Sequence, residues 1–210
     1  MIDEYFTISG ETENCIVIER SKFICNIKGV EDEEQAKEFV RKISKQHSLA
    51  THNCYAYIAD ENGLTQKFSD DGEPQGTAGL PMLEVLKNKK IFKTVVVITR
   101  YFGGIKLGTG GLVRAYGNSV VECLKKCKIL CMMHASFVKL SLDYDKYSKI
   151  LALFNNEKVE ILSTEFDNEV KMEFVIKEKD VERVSKIITD AFNGKVNIKP
   201  YKNGYHGFNV

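Results

Sequence analysis

The stretch Thr94-Val95-Val96-Val97-Ile98-Thr99-Arg100 is apolar without alternation, as a central strand covered on both faces must be. It runs into Gly103-Gly104-Ile105-Lys106-Leu107-Gly108-Thr109-Gly110-Gly111, and an amphipathic stretch from Leu112 to Cys127 follows. Strand, glycine-rich turn and helix is a geometry in which bare backbone N–H groups converge on an anion at a helix N-terminus. Arg100, Lys106 and Arg114 stand in or beside this turn, so its expected guest is a phosphate. The candidate anion-binding residues are Arg100, Gly103, Gly104, Lys106, Gly108, Gly110 and Arg114. No Gly-Lys-Ser/Thr completes a P-loop, and the glycine spacing does not fit a dinucleotide fingerprint. The competing reading is a tight turn that needs glycine only for its backbone.

Charge favours the anion. Residues 1–86 carry 8 basic and 16 acidic side chains, and residues 129–210 carry 12 of each. Residues 87–128 carry 10 basic side chains and one acidic one, Glu122. Such segregation inside a chain of net charge +1 points to an anionic partner, not to a fold. No apolar run reaches the roughly 18 residues of a membrane span. The opening Met1-Ile2-Asp3-Glu4-Tyr5 lacks the basic and apolar regions of a secretory signal, so a cytoplasmic protein without membrane contact is expected. The six cysteines suit that compartment as reduced thiols. Cys123, Cys127 and Cys131 recur every four residues, yet Val113, Tyr116, Val120, Cys123 and Cys127 share one helical face. Packing is their expected role, since zinc sites favour closer cysteine pairs.

At 210 residues the chain suits one large domain or two ordinary ones. Strands are expected at 15–18, 23–27, 53–59 and 64–68, the last two joined by a two-residue turn at Asn62-Gly63. Asp32 should cap a helix over 32–46, and Pro81 should sit in the first turn of another that runs to about Lys89. Beyond residue 134 the pattern is a strand at 138–142, a helix capped by Asp143, a hairpin 159–176, a helix capped by Asp180 and a strand at 195–199. That β-α-β-β-α-β order is ferredoxin-like. The expectation is an α+β chain with one domain over 1–134 and a second over 135–210.

Asp70, Asp71 and Glu73 place three carboxylates within four positions, a set that could hold Mg²⁺ or supply a general base. The alternatives are a surface Asp-Gly turn, or carboxylates that orient Arg100 or Arg114. His52 is a further catalytic candidate, and Cys54 shares its strand face, which makes a Cys/His nucleophile conceivable. Tyr101 and Phe102 suit base stacking or core packing.

Phe68-Ser69-Asp70-Asp71-Gly72-Glu73-Pro74 through Gly79, and Thr99-Arg100-Tyr101-Phe102-Gly103-Gly104 through Leu112, resemble the YigZ/IMPACT family; His52-Asn53-Cys54-Tyr55-Ala56 looks like a further block of it. The two-domain layout resembles the bacterial, YigZ-like members. The resemblance implies an N-terminal domain with the fold of a ribosomal-protein domain and of elongation factor G domain IV, followed by an elongation-factor-type ferredoxin-like domain. It also implies a role in regulating translation, as eukaryotic IMPACT proteins have through protein partners. Together with the basic turn, this gives the leading expectation: a non-catalytic protein without cofactor that binds RNA or the ribosome. Two alternatives stand beside it, a metal-assisted hydrolase or phosphotransferase using Asp70, Asp71 and Glu73, and a protein–protein regulator of translation.

Overall fold

A computed structural model describes residues 4–209. They divide into two units, one made of the residues up to Cys131 together with Phe208 and Asn209, the other Met132–Gly207. The chain is thus a mixed α+β protein of two units.

The first unit holds β1 (Glu4–Ser9), β2 (Glu11–Ile18), β3 (Ser21–Gly29), α1 (Glu33–Gln46), β4 (His52–Ile58), β5 (Gln66–Ser69), α2 (Gly79–Asn88), β6 (Thr94–Tyr101) and α3 (Gly108–Leu124). Five strands form an antiparallel sheet in the order β2-β3-β6-β4-β5. β6 is its centre, and all its residues but Tyr101 are buried. The lack of alternation has a plain cause. Val96 and Ile98 pack under α2 and α3 with Met82, Leu86, Leu112, Tyr116 and Val120. Val95 and Val97 face the other way, onto Ala36, Phe39 and Ile43 of α1. By the two-residue period of a strand, Arg100 belongs to the α2–α3 side.

Asp32 caps α1 as expected, its carboxylate accepting the Gln35 N–H at 2.9 Å. The two-residue turn at Asn62-Gly63 does not form. β4 and β5 last pair at Ile58 and Gln66, and residues 59–65 make a wider loop. The Asp60 carboxylate gathers the amides of Asn62, Leu64 and Thr65, which satisfies the loop from inside and leaves a tight turn nothing to add.

The second unit takes most of β7 (Lys128–Leu142), then α4 (Tyr144–Glu157), β8 (Glu160–Phe166), β9 (Val170–Lys177), α5 (Val181–Ala191) and β10 (Asn197–Asn209). β9 lies antiparallel between β7 and β8, and β10 pairs with β7. Val138, Leu140, Leu142, Met172 and Phe174 pack beneath Ile150 and Phe154 of α4 and Val184 and Ile188 of α5. Asp143 and Asp180 occupy the N-cap positions, but neither side chain bonds its helix's amides. Lys146 and Arg183 draw them off as ion-pair partners. β7 and β10 both run well beyond the spans read from alternation. α3 ends at Leu124, so of the three regularly spaced cysteines only Cys123 lies on it, fully buried, while Cys131 is in β7.

Candidate anion-binding cleft

The C-terminal end of β6 is where the marked residues meet. Arg100 sits there between Phe23 of β3 and His52 of β4. α3 begins at Gly108, four residues before the amphipathic pattern, so Gly108 to Gly111 are its first turn, not loop. The N-cap residue is Leu107, whose side chain offers no acceptor, and the first amides of α3 have no side-chain cap. Gly103 is required by close approach: a Cβ there would lie 2.1 Å from the Arg20 carbonyl carbon. Its N–H donates to Ser21 Oγ at 3.2 Å. Gly104 and Gly108 take φ of +87° and +69°, where side chains are disfavoured. Below this start of α3 lies a cleft of about 440 Å³, bordered by Thr51, His52, Glu73, Phe102 and Lys106.

Its floor is a buried ionic network. Arg100 donates from Nη1 to Glu73 Oε1 at 2.7 Å, with the two side chains only 6% and 3% exposed. Tyr116 of α3 donates to the same oxygen at 2.8 Å. The Arg100 guanidinium lies 5.4 Å from the ring centres of both Phe23 and Phe102. Burial, with the neighbouring Cys54 and Glu73, holds the Tyr116 hydroxyl far above its ordinary range, so it remains a donor.

The other two carboxylates do separate work. Asp70 accepts the N–H groups of Gly76, Ala78 and Gly79 at 2.8, 3.0 and 2.9 Å, capping the start of α2 from a distance. Asp71 Oδ2 accepts the Asn53 N–H at 2.6 Å, and its backbone carbonyl lies 2.7 Å from His52 Nδ1. The expected metal set of Asp70, Asp71 and Glu73 therefore does not converge. Among the described residues no group of three or more His, Cys, Asp or Glu side chains could hold a metal ion.

The Cys/His nucleophile also fails on geometry. The Cys54 thiol is buried against the Asp70 carbonyl at 2.9 Å and the Tyr116 hydroxyl at 3.4 Å, while His52 Nδ1 is engaged by Asp71. Burial first, then the negative charge of Glu73, pushes this thiol well above the usual cysteine range. Iodoacetamide at pH 8 should thus label the exposed Cys15 at least about tenfold faster than Cys54, as followed by peptide mass spectrometry. Equal labelling rates would contradict the burial described.

Residues 19–124, the span that builds this cleft, match the Impact N-terminal domain, and residues 140–195 match the Domain of unknown function (DUF1949). The chain is 45% identical to the IMPACT family member YvyE of Bacillus subtilis over 199 residues, 95% of this chain and 92% of that protein. The chain belongs to the IMPACT family. It is also similar to the IMPACT family member YigZ of Escherichia coli, 33% identical over 86% of this chain and 90% of that one. A solved structure, described as that of an hypothetical protein, superposes with a TM-score of 0.61 at 29% identity, covering 96% of this chain and 99% of the other.

In this IMPACT family member the basic segment 87–128 does not form one surface. Arg100 is inside, held by Glu73. α3 has 17 residues, so Lys125, Lys126 and Lys128 lie about 25 Å from Gly108. Lys87, Lys89, Lys90 and Lys93 precede β6, whose length sets Thr94 about 23 Å from Tyr101. Only Lys106 and Arg114 stay at the cleft end as exposed cations, and among the described residues no ion pair engages either. Two participants escape a reading of the sequence. The helical spacing of Tyr116 speaks only for packing, although a buried tyrosine hydroxyl needs a partner. Ser21, 3.4 Å from Arg100 Nη2, carries no signal at all.

Proposed function

We propose that this IMPACT family member binds RNA, on the ribosome or free, and thereby modulates translation in the cytoplasm. The carrying observation is the uncapped start of α3 with Lys106 and Arg114 exposed beside it. Three of its first four residues are glycines, which lets a phosphate approach the amides without meeting a side chain. The wider frame supports the same reading. The first unit's mixed sheet is consistent with the ribosomal-protein and elongation factor G domain IV-like fold that the family resemblance implies. The second unit's β-α-β-β-α-β order, with β10-β7-β9-β8 across its sheet, is ferredoxin-like.

The test is fluorescence anisotropy with a single-stranded RNA between 50 and 200 mM salt. Replacing both Lys106 and Arg114 with Ala should weaken binding about tenfold or more, for any sequence alike. It should also flatten the slope of log affinity against log salt by about 1.4, at roughly 0.7 per lost phosphate contact. Unchanged affinity in the double variant ends the RNA reading. Capture of a partner that survives nuclease would transfer this surface to a protein regulator instead.

A further inference from the structure

Two hydrogen-bond acceptors face each other in the cleft with no proton between them. When the His52 imidazole is neutral its proton resides on Nδ1, because the Asp71 carbonyl 2.7 Å away can only accept. Nε2 is then a bare lone pair, and it stands 3.9 Å from Glu73 Oε2. That distance is too long for a hydrogen bond, and neither atom has a hydrogen to give. The other oxygen of Glu73 is already bound to Arg100 and Tyr116. A complementary ligand must therefore present two donors side by side, and a vicinal diol does so.

The rest of the cleft asks for the opposite chemistry. The first amides of α3 lack a side-chain cap, and Lys106 stands beside them. Arg100 lines the same cleft from below, and its buried Nε has no hydrogen-bond partner among the described residues. The positive side of the site is thus left short of acceptors by the protein itself. Phe102 borders the opening with 46% of its surface exposed. One face of its ring meets the Arg100 guanidinium at 5.4 Å, and the other is free to take a flat ring.

An acceptor pair, a cationic pole and an aromatic shelf around one space match the three parts of a nucleotide. We propose that the cleft holds a ribonucleotide with a free 2′,3′-diol and a 5′-phosphate: the diol on His52 Nε2 and Glu73 Oε2, the phosphate at the start of α3, the base against Phe102. This chemistry is shared by the 3′-terminal residue of an RNA chain and by a free nucleoside 5′-monophosphate. An internal RNA residue lacks it because its 3′ oxygen is esterified, and DNA lacks the 2′-hydroxyl. The inference rests on the RNA reading for its phosphate grip and adds which residue of the chain is read.

The deciding comparison uses the unaltered protein. Two 5′-labelled decaribonucleotides are titrated by anisotropy, one ending in the 2′,3′-diol and the other in a 2′,3′-dideoxynucleoside. The diol end is expected to bind about tenfold or more tightly, the scale of two lost hydrogen bonds. In His52→Ala the preference should shrink to below about threefold, since one acceptor is gone. Equal affinity of the two ends in the unaltered protein overturns the proposal. It leaves the RNA reading standing if the Lys106 and Arg114 double variant still loses affinity for both oligonucleotides. Competition with AMP separates the two sources. AMP displacing the diol-ended RNA, with 2′,3′-dideoxy-AMP failing, assigns the site to free nucleotide, whereas end preference without displacement by AMP assigns it to the RNA terminus.

Discussion

Glu73→Ala is expected to destabilise the first unit by about 3–5 kcal/mol, because it leaves a buried guanidinium without its carboxylate. Arg100 cannot shed its charge, and its side chain is only 6% exposed, so water cannot replace the lost partner. The Tyr116 hydroxyl would lose its acceptor in the same step. For a unit of this size each kcal/mol moves the melting temperature by roughly 2–8 °C, so a fall of about 10 °C or more is expected by differential scanning calorimetry. Tyr116→Phe removes one donor and spares the ion pair, and should cost about 1–2 kcal/mol. If Glu73→Ala costs no more than Tyr116→Phe, the guanidinium has found another acceptor and the network is not what holds this corner.

Gly103→Ala should be comparably damaging, at about 3 kcal/mol or more, for a steric reason. The added Cβ would meet Arg20 and Ser21 at 2.1 to 2.5 Å, and all the atoms it meets are backbone at the β2–β3 turn. Neither strand can yield without disturbing the pairing of Lys22 with Tyr101. Gly104→Ala is the matched control. Its φ of +87° makes alanine strained, but nothing lies within 4 Å of the new atom, so a cost near 1 kcal/mol is expected. Urea denaturation of both variants discriminates the two causes. Equal losses would mean that backbone conformation, not contact with Arg20, governs the glycine pair.

How far the cleft could be read from sequence follows from which facts are local. The strand 94–100 was legible because a run without alternation fits few environments, and its parity already placed Arg100 with Val96 and Ile98 on the α2–α3 side. Asp32 was legible because a cap needs only three residues of context. Asp70, Asp71 and Glu73 were not separable by the same means. Which of them caps α2, which meets Asn53 and which enters the core depends on where β4 and β6 pass, residues far away in the chain. The basic run failed for a related reason: neighbours in sequence become opposite ends once a 17-residue helix lies between them. Asp143 and Asp180 show the same limit on a smaller scale, since a lysine or arginine one turn on competes for the capping oxygen.

The turn that carries Glu73 into the core is anchored at its other end by Asp70, whose carboxylate ties down the amides that open α2. Floor and frame are consequently one piece, and whatever settles in the cleft braces the sheet as well. Any true ligand must then announce itself as heat resistance, rising with the logarithm of its concentration above the dissociation constant. A melting screen over small anions and nucleotides can therefore find what this protein holds before any reaction is in hand.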